Sequence, residues 1–445
     1  MIKKNIIFLD YGPSTGLGHL NRCKYFEKYL KLKSTLYVSE KKINQRGVQN
    51  INLSNDKFLN TNKQKFNIGI IDSYQINYNQ ECKVKKICKK LITIDDLAKR
   101  RFCCDILINY NPAITYKKYL TKTKKNTKLL LGEDFNFIYN LNYKKKTIKN
   151  KINILIYFGT RDRTNFIKKK IIDKLFINKN KINNITILSK FKFKHKFFKI
   201  KFKYFENNSK TLQEINNSDV CILSSGIIIY EALNYNKIIF SKPISNNQEP
   251  HFKYLLKKKI IFSLNKLKKF KFVENKIFNF NRSNNEPDQY IDKSKILKLV
   301  INPIKSKDNK NIYLMKYNKK YDHELYDMQT PFYRKFYINK ESFSFKDHKI
   351  YLSKIKKRNI QLYIIKCNNR FSGYIKFEIK EKKIYVSIAV KKEYQNKKIG
   401  FKILQYLMKN NFFKIKPYAE IDKNNFASIK VFKNAGFKAK NIKIF

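Results

Sequence analysis

Short apolar runs alternate with helical stretches twice over in this chain, and that rhythm limits the fold more than any other feature. The runs NIIFLD (5–10), STLYVS (34–39), NIGIIDS (67–73), KLITIDD (90–96) and CDILINY (104–110) have the length and composition of buried strands. Amphipathic stretches such as LNRCKYFEKYLKL and NQECKVKKICKK lie between some of them. Strand and helix in alternation predict a parallel sheet with helices on both faces. After a Lys/Asn-rich gap, NYKKKTIKNK (142–151), the rhythm restarts with INILIYFGT (152–160), INNITILSK (182–190), SDVCILSSG (218–226) and KIIFSKP (237–243). Two such halves predict two Rossmann-like lobes facing across a cleft.

From Ile312 the grammar changes. QLYIIKC (361–367), FSGYIKFEIK (371–380) and KKIYVSIAV (382–390) follow one another directly, as in an antiparallel meander. A helix, a strand (PYAEID) and a second helix complete a separate α+β domain. The boundaries expected are 1–148 and 149–285 for the two lobes, 286–310 for a linker, and 311–445 for the last domain.

The chain carries 98 basic and 33 acidic residues, a net charge of +65. Its lysines are spread over the whole length, and Asn and Ile are abundant with them. The charge therefore reads as a compositional bias toward A/T-rich codons, and no specific nucleic-acid partner is expected. Anionic substrates would still be drawn to such a field. No long uncharged apolar run is present, so no membrane partner is expected. Seven cysteines without a CxxC pair favour neither a disulfide framework nor a metal site, and fit a reducing cytoplasm.

The same bias makes the 11 glycines informative, because they should persist where a side chain cannot fit. Three of them, at 12, 16 and 18, precede His19 after the first strand. A dinucleotide fingerprint would need a fourth small residue at position 21, where Asn21 stands. What remains is a histidine at the carboxyl edge of a parallel sheet, where such folds bind ligands. On its own it reads as a capping or surface residue. The second half has its own small-residue turn, SSGIIIYEALNY, with Ser225 and Gly226 suited to a diphosphate and Glu231 to a ribose hydroxyl. Asn247 and Gln248 follow the next strand and would read a base or sugar.

GLGHLNRC, IIDSYQI, ITIDDLAKRRFCCDILIN, LLLGEDFNFI, SSGIIIYEAL and NNQ, in this order, resemble the hydrolases of pseudaminic acid biosynthesis over roughly residues 1–265. That resemblance implies a glycosyltransferase-B-like pair of lobes. It implies release of UDP from UDP-2,4-diacetamido-2,4,6-trideoxy-β-L-altropyranose, without a metal. His19 would activate water, with Tyr74 and Asp72 beside it; Asp72 reads equally as a loop brace, and Asp95 and Asp96 fit either job. Gly16, Gly18, Arg22, Gly159, Thr160, Ser225, Gly226, Glu231, Asn247 and Gln248 would hold the UDP-amino-sugar. One departure is YFGTRDRTN (157–165), where Phe158 stands in place of a second glycine.

VKKEYQNKKIGFKILQYLM and EIDKNNFASIKVFKNAGF resemble the GNAT acetyltransferases, whose loop amides hold the pyrophosphate of coenzyme A. Val390, Gln395, Lys397, Lys398, Gly400, Asn425 and Ser428 would bind acetyl-CoA, the implied co-substrate. Lys398 replaces the first loop glycine, and Phe432 replaces a tyrosine that relatives use as an acid. Phe432 is expected to pack in the core. His348 is expected to be structural or chemical, and Glu378 and Ser387 are candidates to lie near the acceptor amine. The two resemblances name consecutive steps, acetylation of a UDP-4-amino sugar and hydrolysis of the product. A two-lobed glycosyltransferase with a GNAT domain that only binds coenzyme A is the rival reading.

Overall fold

The computed structural model describes residues 5–10, 18–33, 35–39, 48–50, 65–132, 135, 151–159, 167, 171–190, 192–205, 208–235, 237–269, 290–292, 294–337, 340–355 and 359–445. The chain divides into two compact units, residues 1–281 and 282–445.

The first unit holds two parallel sheets. In the first sheet the strands are β1 (Asn5–Leu9), β2 (Thr35–Ser39), β3 (Val48–Asn50), β4 (Phe66–Asp72), β5 (Cys88–Ile94), β6 (Ile106–Asn109) and β7 (Lys128–Leu131), in the order β3-β2-β1-β4-β5-β6-β7. Its neighbouring strands all pair in parallel. The second sheet has β8 (Ile152–Tyr157), β9 (Ile182–Leu188), β10 (Ile200–Lys203), β11 (Val220–Ser224), β12 (Ile238–Lys242) and β13 (Phe262–Ser263), in the order β10-β9-β8-β11-β12-β13. Strands such as β1 and β11 are apolar at nearly every position because both faces are covered; each is buried along its whole length. The strand order reverses between β1 and β4 in one sheet and between β8 and β11 in the other. Those two switch points are where open α/β sheets leave a crevice beyond the strand ends.

Four helices of this unit bear on the site: α1 (Gly18–Leu30), α2 (Tyr78–Ile87), α3 (Ile228–Asn234) and α4 (Glu249–Lys257). Helix α2 begins with a capping box, in which the Asn77 side chain accepts from the Gln80 N–H and the Gln80 side chain from the Asn77 N–H. The sequence pattern ran this helix on to residue 90. The structure ends it at Ile87 and starts β5 at Cys88, because the sheet needs Leu91 and Ile92, both fully buried, on a strand. Tyr110, just after β6, belongs to a buried cluster with Leu155, Leu223 and Ile239 of the second sheet.

The second unit is a mixed sheet of β14 (Ile304–Lys305), β15 (Asn311–Lys316), β16 (Ile360–Cys367), β17 (Arg370–Lys380), β18 (Lys383–Val390), β19 (Pro417–Ile421) and β20 (Ile442–Ile444), in that order. Pairing is antiparallel from β14 to β18 and parallel from β18 through β20. The segment 286–310 corrects the linker expected there. It holds helix α5 (Ser294–Ile301) and the edge strand β14, and Leu297, Leu299 and Val300 are buried in the unit's core. The run KSKILKLVIN has the apolar spacing of an amphipathic helix, which the surrounding Lys and Asn obscured.

Gly373 shows how tightly β17 and β18 pack. Its φ is +150°, and a Cβ there would lie 2.2 Å from the Ala389 carbonyl oxygen. Only glycine fits.

Candidate functional site

The first site forms at the β1/β4 switch point. His19 enters on the first turn of α1, and Asp72 is the last residue of β4. His19 Nδ1 lies 2.8 Å from Asp72 Oδ1. Arg22, one turn along α1, donates from Nε to Asp72 Oδ2 at 2.6 Å and from Nη2 to Oδ1. All three side chains are buried: His19 is 8% exposed, Arg22 6% and Asp72 1%. Spacing of i and i+3 on one helix face puts the imidazole and the guanidinium over the same carboxylate.

Electrostatics follow from that packing. Burial alone would raise the Asp72 pKa, but the charges of Arg22 and His19 and their hydrogen bonds hold it well below the usual carboxylate range. Asp72 is therefore ionised. Burial works against a charged His19 as well, and Asp72 overcomes it, so the imidazole pKa is raised above 6.5. A nitrogen 2.8 Å from an ionised carboxylate oxygen carries a proton. Nδ1–H donates to Asp72, and in the neutral ring Nε2 keeps the lone pair.

Tyr74 closes the cluster. Its ring meets His19 edge-on at 4.9 Å, and its hydroxyl donates to Asp96 Oδ2 at 2.7 Å. Burial and the Asp96 charge push the phenol well above its ordinary pKa, so it stays protonated. Asp10, at the end of β1, accepts from Ser73 Oγ at 2.5 Å and from the Tyr74 N–H at 2.7 Å, fixing the turn that carries Tyr74. Asp95 does other work: it accepts from the N–H groups of Leu97 and Ala98 and from the Tyr119 hydroxyl. From the second sheet, Asn247 Nδ2 donates to the Tyr74 hydroxyl at 3.3 Å.

The sequence reading placed Arg22 among the groups that hold substrate. In the structure its Nε and Nη2 are both turned to Asp72. Glu231, expected at a ribose hydroxyl, is 3% exposed inside the short α3 and close enough to Tyr157 to help raise that phenol to about 12, after burial. Gly18 and Gly159 leave open space where a Cβ would stand, and Gly159 has φ +87°. Gly226 faces Gln248 Nε2, 3.6 Å from where its Cβ would be, while Gln248 Oε1 accepts from the Ile244 N–H at 3.1 Å. Ser225 turns its hydroxyl inward to Ser241, at 2.8 Å. Gly16 and Thr160 lie outside the described residues.

Sequence reasoning missed His251. Its Nδ1 donates to the Ser225 carbonyl at 3.2 Å, and its Nε2 accepts from the Tyr230 hydroxyl at 2.8 Å. It thereby pins the SSG turn from below. The only available signal was its place in QEPHF, a few residues beyond Asn247.

The second site is a cavity of about 1200 Å³ within the C-terminal unit. It opens because β18 and β19 part. They pair at Ile384–Pro417 and Tyr385–Tyr418 and no further. Val386, Ser387, Ile388, Ala389 and Val390 then line one wall and Glu420, Ile421 and Asp422 the other. At its rim, helix α7 (Ile399–Lys409), which follows α6 (Phe345–Lys354) along the chain, starts from Lys398, whose backbone is left-handed at φ 55°. A glycine would hold that conformation without strain, which accounts for the small residue usual at this point of the resembling motif. The first N–H groups of α7 have no intrahelical acceptor and form an anion site by construction. A Cβ at Gly400 would sit 3.6 Å from Val390 and 3.7 Å from Ile388, in ordinary contact.

Gln395, Asn425, Ser428, Glu378, Ser387 and Phe432 also line the cavity. Gln395 Nε2 donates to the Val390 carbonyl at 3.1 Å, and Asn425 caps helix α8 (Phe426–Asn434) by accepting from the Ser428 N–H at 3.1 Å. Phe432 packs on Phe437 at 4.9 Å. Lys397 is set apart from the lining: its Nζ is 3.8 Å from Asp308, and its carbonyl accepts from the Lys307 N–H. Glu378 is flanked by Lys376 at 3.2 Å and Lys380 at 3.5 Å. At the far end the Tyr337 and Tyr374 hydroxyls meet at 2.5 Å. His348 lies beside Phe343, and burial depresses its pKa. Among the described residues no group of three His, Cys, Asp or Glu side chains is arranged to hold a metal, and no helix is long and apolar enough to cross a membrane.

A mixed sheet with diverging strands and an anion-binding helix start defines an acyl-CoA site, and residues 323–437 match the Acetyltransferase (GNAT) family model. The C-terminal unit carries a GNAT acetyltransferase domain, and its acyl donor is acetyl-CoA. The whole chain is similar to an uncharacterized protein of Methanocaldococcus jannaschii, 24% identical over 98% of this chain and 96% of that one. Among solved structures, a domain from the same organism is 24% identical and covers 29% of this chain and 89% of its own, at TM-score 0.25. The spermidine N-acetyltransferase of Vibrio cholerae, in complex with CoA and spermine, is 12% identical over 28% of this chain and 79% of its own, at TM-score 0.26.

Proposed function

We propose that the chain is a bifunctional nucleotide-sugar enzyme of the pseudaminic acid type. In this reading the C-terminal domain acetylates the 4-amino group of a UDP-amino-sugar. The first unit, as a glycosyltransferase-B-like pair of lobes, then hydrolyses the diacetamido product to free sugar and UDP. The observation that carries the reading is the buried His19–Asp72–Arg22 cluster at the first switch point, with Asn247 of the second sheet reaching Tyr74.

The chemistry fits those groups. Nε2 of neutral His19 takes a proton from water as the water oxygen bonds to the anomeric carbon. The C–O bond to UDP breaks, and UDP leaves with the electron pair. Asp72 stabilises the imidazolium that forms. Gly18 and Gly159 leave room for a diphosphate near the backbone. In the C-terminal domain the acceptor amine attacks the acetyl thioester, the C–S bond breaks, and the thiol departs.

The test is to incubate the full chain with the UDP-4-amino sugar and acetyl-CoA and follow products by mass spectrometry. The expected sequence is acetylated UDP-sugar, then free diacetamido sugar and UDP. UDP release that requires an added acceptor would instead identify a glycosyltransferase.

A further inference from the structure

The geometry points to Arg22 as a positioning residue for His19: through Asp72 it fixes which ring nitrogen carries the proton and opposes uptake of a second one. This inference rests on the hydrolytic reading only for its meaning, since the ring's state can be measured without turnover.

Three observations carry it. First, Asp72 is 1% exposed, so water does not satisfy its charge. Second, the Arg22 fork takes both carboxylate oxygens, through Nε to Oδ2 and Nη2 to Oδ1, leaving Oδ1 shared with His19. Third, Arg22 Nη2 lies only 3.3 Å from His19 Nδ1. Two N–H donors at that distance both turn to the shared oxygen. If Nδ1 instead held a lone pair, it would face the Asp72 oxygen at 2.8 Å, lone pair against lone pair. The carboxylate so oriented selects the Nδ1–H form.

The charge balance gives the second half. Arg22 and Asp72 together are neutral. Without the guanidinium, a buried carboxylate would hold His19 as imidazolium, and a base that already carries its proton accepts no other. The charged and titratable groups around His19 are Asp72 on β4, Arg22 on its own helix and Asp10 on β1, with the Tyr74 ring at its edge. Burial opposes the imidazolium, Asp72 and Asp10 favour it, and among the charged groups Arg22 opposes it. Cys23, 3.7 Å from Asp72 Oδ2, is a weak donor and adds no charge while its thiol pKa stays high.

Histidine-labelled full-length protein provides the test, with His19 assigned by His19→Gln among the chain's 5 histidines. Nitrogen NMR is expected to show the Nδ1–H tautomer in the parent chain. In Arg22→Gln the titration midpoint of His19 should rise by about one unit or more. Arg22→Lys keeps the charge without the fork, so it should restore most of the midpoint and blur the tautomer preference; it also serves if Arg22→Gln does not fold. In UDP release, the acid limb of the pH profile should move up in Arg22→Gln and return in Arg22→Lys. An unchanged midpoint, or an Nε2–H parent ring, overturns the inference. Absence of any UDP-sugar hydrolysis overturns the proposed reaction, while the titration still decides the role of Arg22.

Discussion

The two sites of this chain are built from opposite materials. At the β1/β4 switch point the proposed chemistry rests on side chains: one imidazole, one carboxylate and one guanidinium, all buried and holding one another. In the C-terminal cavity it rests on backbone: two strands that part after Tyr385 and a helix start whose amides face the opening. A site of the first kind fails when one atom is removed. One of the second kind survives many substitutions, provided the main chain keeps its path. This is why Lys398 can stand where the motif has glycine, in a left-handed conformation, with its own N–H still in place.

The contrast yields graded predictions. His19→Ala should reduce UDP release by about 10²–10⁴-fold, the usual worth of a positioned base, and leave acetyl transfer unchanged. Equal loss in both activities would break the separation. Gly400→Val should weaken acetyl-CoA binding by about tenfold or more, because the added methyls crowd Val390 and Ile388 in the cavity wall, with UDP release untouched; calorimetry reads this directly. The pH profiles should also differ. His19 has a folded pKa raised above 6.5, so it is protonated at low pH and becomes a base only as pH rises through that higher value. UDP release should therefore climb with a midpoint above 6.5, and acetyl transfer should not follow that limb. By linkage, the stability His19 gains from Asp72 is fully present below 6.5 and is lost as pH rises through the folded pKa. Asn425→Ala should cost about 1 kcal/mol of stability through the lost cap of α8, seen as a lower melting midpoint. Smallest of all, Lys398→Gly should relieve about 1 kcal/mol of left-handed strain, offset in part by chain entropy, and shift acetyl-CoA affinity by less than threefold.

The same contrast decides what the sequence revealed. Parallel strands buried on both faces leave unbroken apolar runs, so the core of most of them could be read directly. Strand ends could not, as at Ile87, where helix and strand patterns overlap and the sheet prevails. Short edge elements such as β10 and β14 carry no periodicity to read. At the sites, backbone geometry left a local motif, and Val390, Gln395, Lys398, Gly400, Asn425 and Ser428 gather at one cavity. The side-chain cluster left only His19, Asp72 and Tyr74 as separate signals. Nothing local says that Arg22 binds a carboxylate 50 residues away rather than a phosphate, or that His251 props the SSG turn. Such roles follow from which strand ends a parallel sheet brings together. Helix α5 was hidden for a different reason: a Lys/Asn-rich background dilutes its apolar face.

The central claim, that His19 directs water to the anomeric carbon, is tested most directly by the fate of the water oxygen. With the UDP-diacetamido sugar in ¹⁸O-labelled water, the account predicts label in the released sugar and none in UDP. Label in the UDP phosphate would mean P–O cleavage and would contradict it.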